Sequence, residues 1–454
     1  MEPAKTSWQE LRAAHPVFNY EGFHVESTGP SLHVRFDFRI SPNVEFHPEL
    51  VITGPRSLSG KLPTGVIDNL VFHLGLIESI SYWKATCSPR IVVRPGMLDE
   101  NQVSWWQDLV IHGMGEFFFV NGIDFTEPGF VVFEGAGPRF PVMEERPSQR
   151  SLLPIGGGRD SGVTGMVFAR SGLPTGCLLL NPTPAAKAVV ETIHPAETIT
   201  VERTIDPQLL KLNAAGFLNG HTPFSAYLAF LSSLCAALFD YKDIVLANEH
   251  SSNEGNTEYL GRIINHQYSK SLRFEERFDS YLHQYIAPEI RYFSFMRPLG
   301  ELQIGHALAR FPELFGTIKS CNRNPASLDW CGNCPKCLSV FVTTYPFVAY
   351  QDVLKIFGRD FFENPDSFQI MRQLAGLDAH KPFECVCSYD EFIAGLELCV
   401  SACKTSGRVL PHALARAETE MLGSRAPVDA SAMLQATAPH RIPAEFQPLL
   451  AGLY

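Results

Sequence analysis

The sequence predicts an α/β fold built on a parallel sheet that helices cover on both faces. Two observations predict it: from residue 151 onward short apolar runs alternate with segments of helical apolar spacing, and a Gly-rich turn joins the first pair. Strands that alternate with helices usually form parallel sheets, because each helix carries the chain back across the sheet. The predicted strands are residues 151–155, 176–181, 198–202 and 243–248. The predicted helices are residues 162–170, 185–192 and 224–239.

The first 148 residues have a different pattern and predict a mixed α+β N-terminal domain. Residues 32–38 alternate apolar and polar side chains as a half-buried strand does, and residues 90–94 and 115–121 are further strand candidates. Residues 66–82 have helical apolar spacing, and a polar stretch at residues 143–150 precedes the parallel-sheet part. The C-terminal part has helical patterns. We therefore predict three domains, at residues 1–148, 149–340 and 341–454.

The composition is that of a globular protein that acts outside membranes. The chain has 454 residues, of which 45% are hydrophobic and 19% charged, and its net charge is −11. This acidic balance argues against duplex nucleic acid as a partner. The N-terminus lacks the apolar core of a signal peptide, and the longest apolar stretch, residues 227–239, is too short to span a bilayer. We therefore expect a cytoplasmic protein without a membrane partner, whose 11 cysteines bind metal or pack in the core.

The strongest functional signal is the turn between the first predicted strand and helix, Gly156-Gly157-Gly158-Arg159-Asp160-Ser161. Glycines let the backbone turn tightly and bring N–H groups close to an anion, and the N-terminus of the following helix adds positive potential. Asp160 is suited to positioning a metal-bound phosphate, Ser161 to donating to a phosphate oxygen, and Arg159 to acting as a fixed cation. The alternative is an ordinary Gly-rich turn in which Asp160 caps the helix.

This turn resembles the pyrophosphate loop, Ser-Gly-Gly-x-Asp-Ser, of the PP-loop ATP pyrophosphatases. Gly156 stands where that loop has its first serine, so one hydroxyl contact to the nucleotide is lost. The resemblance implies that residues 149–340 form a PP-loop domain that cleaves ATP to AMP and diphosphate with Mg²⁺, as a substrate oxygen attacks the α-phosphate. Asp160 and Glu249, which follows the fourth predicted strand, are the candidate magnesium partners. Glu249 could equally be a solvated strand end.

Four cysteines lie close together in the sequence: Cys321, Cys331, Cys334 and Cys337. The spacing Cys-x9-Cys-x2-Cys-x2-Cys supplies the four thiolates of a tetrahedral zinc site. A ferredoxin-type iron–sulfur site needs another cysteine soon after these, and position 341 is Phe, so zinc is favoured. A reduced, buried cluster without metal is the alternative.

Two enzyme families combine such a turn with such a cysteine cluster. The chain resembles 7-cyano-7-deazaguanine synthase, a PP-loop ligase that adenylates a carboxylate before amide or nitrile formation, over residues 150–340 only. It resembles the UDP-N-acetylmuramoyl-L-alanyl-L-glutamate epimerase family (MurL type) over residues 150–390. That second resemblance rests on the stretches PIGGGRDS (154–161), NGHTPFSA (219–226), ANEHS (247–251), RPLGEL (297–302), CGNCPKC (331–337) and KPFEC (381–385).

The epimerase resemblance implies a reaction of peptidoglycan precursor synthesis. The terminal L-Glu of UDP-MurNAc-L-Ala-L-Glu is converted to D-Glu, and ATP goes to AMP and diphosphate as the glutamate carboxylate is adenylated. An amide- or nitrile-forming ligase is the second hypothesis. A third, without enzyme activity, is a degenerate nucleotide-binding module, which Gly156 and the acidic net charge motivate. The sequence gives no prediction of oligomeric state.

Removal of the glutamate α-proton requires a general base, for which the sequence offers four candidates: His221, His250, Glu249 and Cys385. Each has a structural alternative, which is capping, core packing or a solvated surface position. Arg291 and Arg297 flank an aromatic run. They could clamp a phosphate or the glutamate carboxylates, or merely pair at the surface.

Overall fold

A computed structural model describes residues 7–56, 62–423, 428–435 and 437–453. The strands are β1 (Val17–Thr28), β2 (Ser31–Ile40), β3 (Val44–Phe46), β4 (Glu49–Thr53), β5 (Arg90–Val93), β6 (Val132–Gly135), β7 (Ser151–Pro154), β8 (Thr175–Leu180), β9 (Glu197–Thr204), β10 (Asp243–Leu246), β11 (Thr257–Tyr259), β12 (Arg262–Ile264) and β13 (Arg291–Ser294). The helices are α1 (Trp8–Ala14), α2 (Thr64–Trp83), α3 (Glu100–Gly113), α4 (Gly115–Val120), α5 (Arg159–Ser171), α6 (Pro184–Ile193), α7 (Pro207–Ala214), α8 (Phe224–Phe239), α9 (Leu272–Tyr285), α10 (Glu301–Leu308), α11 (Pro335–Thr344), α12 (Tyr350–Phe357), α13 (Ser367–Leu374), α14 (Tyr389–Thr405), α15 (His412–Ala417), α16 (Ala430–Gln435) and α17 (Gln447–Leu450).

One large sheet runs through the described part of the chain and contains eleven strands. Their order is β13-β10-β7-β8-β9-β4-β2-β1-β5-β6, with β3 paired to β2 at the side. The strands from β13 to β9 are parallel to their neighbours, whereas β9 pairs antiparallel with β4. At the other edge, β1, β5 and β6 are again parallel. The prediction of an α/β fold is therefore confirmed, with the predicted parallel strands forming one part of a mixed sheet.

The order of the parallel strands reverses at β7. The chain adds β8 and β9 on one side of β7 and then returns to add β10 and β13 on the other side. A crevice opens at the carboxyl ends of parallel strands where such a reversal occurs, because the two connections leave in opposite directions. The Gly-rich turn follows β7 and Glu249 follows β10, so both lie at this reversal.

Helices cover both faces of the parallel strands, as their continuous apolar runs predict. Along β7, Leu152 belongs to the core on one face and Leu153 to the core on the other. The first core takes buried residues from α2, α3, α8 and α9, and the second takes them from α5, α6, α10, α11 and α14. None of the described helices is long and apolar enough to cross a lipid bilayer.

The strand prediction for residues 115–121 is wrong, because Gly115–Val120 forms helix α4. Phe117 and Phe118 are both buried in the core. A Cβ atom at Gly115 would lie 3.2 Å from the side chain of Ile264, so the start of this helix is closely packed. Aromatic residues favour strands, but that preference depends on packing, and here helical packing against the core decides the conformation. The other elements predicted above have their counterparts among β2, β5, β7–β10, α2, α5, α6 and α8.

The described residues of the first 148 supply β1–β6 to the same sheet that contains the parallel strands. All described regular elements that begin after residue 345 are helical. A buried ion pair joins the N-terminal part to the parallel strands. Arg203 of β9 donates two hydrogen bonds of 2.8 Å to Glu78 of α2. Glu78 is only 1% exposed, and the guanidinium also lies over the ring of Tyr227.

We expect Glu78→Gln to lower the free energy of unfolding by about 3 kcal/mol, because the Arg203 guanidinium then stays buried without a carboxylate partner. Urea unfolding followed by tryptophan fluorescence measures the change. Glu202→Gln removes an exposed carboxylate from the same strand and is the matched control. Its free energy of unfolding should change by less than about 0.5 kcal/mol. Equal unfolding midpoints for the two variants would contradict a stabilising role for this pair.

Candidate active site

The Gly-rich turn begins where β7 ends at Pro154 and leads into α5. Gly157 has a φ of +85°, and a Cβ there would lie 2.4 Å from the backbone nitrogen of Ala186, so only glycine fits. Gly156 differs, because a Cβ at that position would have no atom within 4 Å. A serine, which the pyrophosphate-loop pattern has at this position, would therefore also fit, and steric crowding does not explain the glycine.

The N-terminus of α5 faces the turn without a capping side chain. Its N-cap residue is Gly158, so no N-cap side chain competes with an anion for the amides of the first helical turn. Asp160 lies inside this first turn and accepts a hydrogen bond of 2.9 Å from Nε of Arg159. Ser161 donates from Oγ to the carbonyl oxygen of Gly158 at 3.2 Å. The alternative in which Asp160 caps the helix is therefore not what the structure contains.

A cleft of about 630 Å³ opens over the turn, at the carboxyl ends of β7 and β10. This volume lies in the range of sites that bind small molecules and cofactors. Distant parts of the chain meet in it. The lining residues that the sequence predicted are Gly156, Gly158, Asp160, Ser161, His221, Glu249 and Cys385. Those that it did not predict include His266, Lys270, Lys319 and Lys336.

Asp160 and Glu249 place two interacting carboxylates in the cleft. Burial, followed by the charge of Asp160, raises the pKa of Glu249 to about 7. Burial also pushes the pKa of Asp160 upward, but the charges of Arg159 and Lys336 outweigh it and leave that pKa lowered. Carboxylate oxygens are ligands that Mg²⁺ prefers, and a divalent cation relieves the repulsion between two carboxylates. These two side chains therefore suit a magnesium site.

Cys385 lies among cations in the same cleft. Nζ of Lys270 donates to Sγ at 3.2 Å, and His266 lies close enough to lower the pKa of the thiol. Burial raises the pKa of this thiol, but Lys270 and His266 outweigh burial and bring it to about 6. Burial, and then His266, lower the pKa of His221 to about 3. At neutral pH the thiol of Cys385 is therefore ionised and the imidazole of His221 is neutral. His250 is exposed and does not belong to the residues that line the cleft.

The three predicted arginines do not line the cleft. Arg159 is fully buried beneath the turn, where its guanidinium donates to Glu301 at 2.9 Å. Arg297 is also fully buried and donates to the carbonyl oxygen of Glu249 at 2.6 Å. Arg291 begins β13, at the opposite end of the parallel strands, and pairs with two carboxylates there. Arg159 and Arg297 thus support the turn and the strand end from below.

The four predicted cysteines come together in space, with all Sγ atoms within 4.8 Å of one another. Cys334 is the N-cap of α11, and its sulfur accepts a hydrogen bond of 3.4 Å from the N–H of Cys337. Gly332 has a φ of +65°, and a Cβ there would lie 2.8 Å from Arg359 and from Phe361. Four thiolates at this separation are compatible with a structural zinc ion.

The cysteine cluster is joined directly to the Gly-rich turn. The N–H of Lys319 donates to the carbonyl oxygen of Gly157 at 2.8 Å, and Oγ of Ser320 accepts from the N–H of Arg159 at 3.2 Å. On the other side, Lys336 stands between the last two cysteines and lines the cleft. An ion in the cluster would therefore hold two walls of the cleft in place.

Some residues of the cleft had only an indirect signal in the sequence. Lys336 stands inside the cysteine motif and Lys319 two residues before its first cysteine, so the motif itself could have pointed to both. Lys270 and His266 come from short irregular segments after β12, which carry no pattern. Glu116, which contacts His266, lies in helix α4, where the sequence predicts a strand.

We expect about one zinc ion per chain in the purified protein, because four thiolates complete one tetrahedral site. Cys334→Ala removes one ligand and should abolish zinc binding and lower the thermal midpoint. Elemental analysis and thermal unfolding measure the two effects. Cys177→Ala, which changes a fully buried cysteine of β8, is the control and should keep its zinc. Iron with sulfide in the wild type, or zinc retained by Cys334→Ala, would contradict the assignment.

Comparison with known proteins identifies the family. The MurL N-terminal domain matches residues 9–295, and the MurL C-terminal domain matches residues 317–427. A protein of Xanthomonas oryzae pv. oryzae is 32% identical over 75% of this chain and 77% of its own length. A protein of Salinispora tropica is 32% identical over 82% of each chain.

A third relative covers nearly the whole chain. A protein of Micromonospora sp. is 31% identical over 96% of this chain and 98% of its own length. All three relatives are named UDP-N-acetyl-alpha-D-muramoyl-L-alanyl-L-glutamate epimerase. Both domain matches and the length of these alignments lead to one conclusion: the chain belongs to the UDP-N-acetylmuramoyl-L-alanyl-L-glutamate epimerase family of the MurL type.

Proposed function

We propose that the protein is an ATP-dependent epimerase that converts the terminal L-Glu of UDP-MurNAc-L-Ala-L-Glu to D-Glu in peptidoglycan precursor synthesis. One observation carries the proposal: an anion-binding turn, two carboxylates suited to Mg²⁺ and an ionised thiol share one cleft. The names of the relatives supply the substrate class. We further propose a cytoplasmic location, where the enzyme has access to ATP.

In this proposal the parallel strands act as a PP-loop core within residues 149–340. The amides of the Gly-rich turn and of the first turn of α5 bind the diphosphate that leaves, and Asp160 and Glu249 hold Mg²⁺. Lys336 adds positive charge beside the phosphates. An oxygen of the glutamate carboxylate attacks the α-phosphate of ATP, diphosphate departs, and an acyl adenylate forms. The protein contributes position and charge to this step.

Adenylation makes the α-proton of the glutamate removable. In the free acid the carboxylate is already negative, and loss of the α-proton would place a second negative charge beside it. In the acyl adenylate the carbonyl group accepts the electron pair instead, so a base of moderate strength can remove the proton. Reprotonation on the other face and attack by water then give D-Glu and AMP.

The cysteine cluster has a structural part in this proposal. It holds the Lys319–Ser320 segment against the Gly-rich turn and places Lys336 in the cleft. Zinc ions with four thiolate ligands have no open coordination position, so such a site stabilises the fold and does not bind substrate. A thiol that acts in the reaction would therefore have to lie outside the cluster.

One incubation tests the proposed function against its alternatives. Purified protein is mixed with ATP, Mg²⁺ and UDP-MurNAc-L-Ala-L-Glu, and AMP and the chirality of the glutamate are measured. We expect AMP and D-Glu to form without ammonia. AMP formation from another acid, and only with ammonia, would indicate the ligase reaction instead. Failure to form AMP with any acid would indicate a nucleotide-binding module without activity.

We expect Asp160→Asn to slow AMP formation by at least about 100-fold, because the variant keeps the shape of the side chain but loses the charge that holds the metal-bound phosphate. The rate of AMP release with saturating ATP measures the loss. Glu191→Gln removes an exposed carboxylate from α6 and should leave the rate unchanged. Full activity of the Asp160→Asn variant would contradict a role of the Gly-rich turn in AMP formation.

A further inference from the structure

Three side chains, Cys385, His266 and Glu116, form a chain of contacts along one wall of the cleft. His266 lies beside the thiol of Cys385 and lowers its pKa, and Nδ1 of His266 makes a short contact with the carboxylate of Glu116. Cys385 and His266 both line the cleft that contains the Gly-rich turn. A thiol beside an imidazole that a third group orients is the usual arrangement of an activated cysteine.

The backbone around this chain is fixed by two further contacts. Oδ1 of Asn256 accepts from the N–H of His266 at 2.8 Å, and Nδ2 of the same side chain donates to the carbonyl oxygen of Pro382 at 2.7 Å. One buried asparagine therefore joins the segment of the imidazole to the segment of the thiol. The N–H of Lys336 donates to Glu384 at 3.1 Å, which ties the thiol segment to the helix of the cysteine cluster.

The charges around the thiol favour its ionised form. Lys270, His266 and Lys336 face it, and each of these cations lowers its pKa. Burial lowers the pKa of His266, but the neighbouring thiol of Cys385 and the carboxylate of Glu116 outweigh burial and raise that pKa to about 9. The neutral ring of His221 packs beside the ring of His266, with the two ring centroids 4.5 Å apart. A thiolate and an imidazolium are therefore paired at neutral pH.

We propose that Cys385 is the base that removes the α-proton of the activated glutamate, and that His266, Glu116 and Lys270 hold it as a thiolate. This assignment rests on the proposed function, because the α-proton becomes removable only after adenylation. The other candidates are less suited to the task. Glu249 is committed to the metal beside Asp160, and the low pKa of His221 makes that imidazole a weak base.

The step moves one proton and oxidises nothing. The Cα–H bond breaks and an S–H bond forms at Sγ of Cys385, while the electron pair left on Cα moves into the carbonyl group of the acyl adenylate. A proton derived from solvent then adds to the other face of Cα as the pair returns from the carbonyl. The thiol gives its proton to solvent, which restores the thiolate held by His266 and Lys270.

A metal site is the competing explanation of the same cluster. Donor atoms of Glu116, His221 and His266 lie within 4.8 Å of one another. A metal ion at His266 would have to displace the proton that Glu116 and the thiol of Cys385 stabilise on this ring, and it would leave Cys385 outside the set of ligands. The acid–base arrangement therefore accounts for all of these contacts, including that of Cys385.

The main experiment separates activation from proton exchange. The full-length protein is incubated in D₂O with ATP, Mg²⁺ and UDP-MurNAc-L-Ala-L-Glu. We expect Cys385→Ser to keep the substrate-dependent exchange of labelled diphosphate into ATP within about threefold of the wild type. It should slow deuterium incorporation at the glutamate Cα by at least about 100-fold, because the base is lost. Cys387→Ala, which changes a fully buried cysteine two residues away, should leave both rates unchanged.

The outcomes distinguish this assignment from the proposed function. Deuterium incorporation by Cys385→Ser at the wild-type rate would overturn the base assignment and leave the epimerase intact. Absence of diphosphate exchange in the wild type would overturn adenylation, and the assignment with it. A hydroxylamine-sensitive acyl adduct on Cys385 would make the thiol a nucleophile instead of a base. A second metal ion per chain that disappears in His266→Gln would make the cluster a metal site.

Alkylation of the wild type provides a readout that does not depend on turnover. Iodoacetamide reacts with the thiolate, so the rate of modification at Cys385 should reach half its maximum near pH 6 and be highest above it. Lys270→Met should move this midpoint upward by at least about one pH unit, because a cation next to the thiolate is lost, and Lys270→Arg should restore it. A wild-type midpoint above pH 8 would overturn the assignment.

Discussion

A buried charge network beneath the Gly-rich turn fixes the geometry on which the cleft depends. Glu301, which is fully buried, accepts from Arg159 at 2.9 Å through one oxygen and from Lys336 at 3.0 Å through the other. Arg159 also bonds to Asp160. Loss of one member would leave an uncompensated buried charge, so the network holds as a unit. The network links the start of α5 to α10 and to the cysteine-cluster helix α11. It therefore fixes the Gly-rich turn, the Asp160 carboxylate and Lys336 relative to one another.

Two kinds of electrostatic environment meet in the cleft, and Lys270 and Lys336 act on both. Near the turn, Asp160 and Glu249 interact as like charges, which favours the binding of a divalent cation. Near Cys385 the neighbouring charges are positive and stabilise a thiolate. In our proposal, activation of the carboxylate uses the first environment, and removal of the α-proton uses a base that Mg²⁺ does not neutralise. The net charge of −11 gives no sign of this division, because only a few local cations produce it.

The fold class and the conformation of the Gly-rich turn were predictable because local patterns determine them. Apolar runs that alternate with helical spacing report the parallel strands directly, and Gly157 has a conformation that only glycine takes without strain. The arginines were harder, since sequence gives the residue type but not the direction of the side chain: Arg159 and Arg297 lie in the interior. His266 was not predictable, because its role depends on Glu116, which is 150 positions away.

The two kinds of chemistry also come from different parts of the chain. The turn, both carboxylates and the cysteine cluster lie within residues 149–340, the part to which we assign activation of the carboxylate. Glu116 comes from the part before this core and Cys385 from the part after it, and the two meet at His266. In our proposal the flanking parts therefore add proton transfer at carbon to a core that activates acids, which explains why an epimerase needs the longer chain.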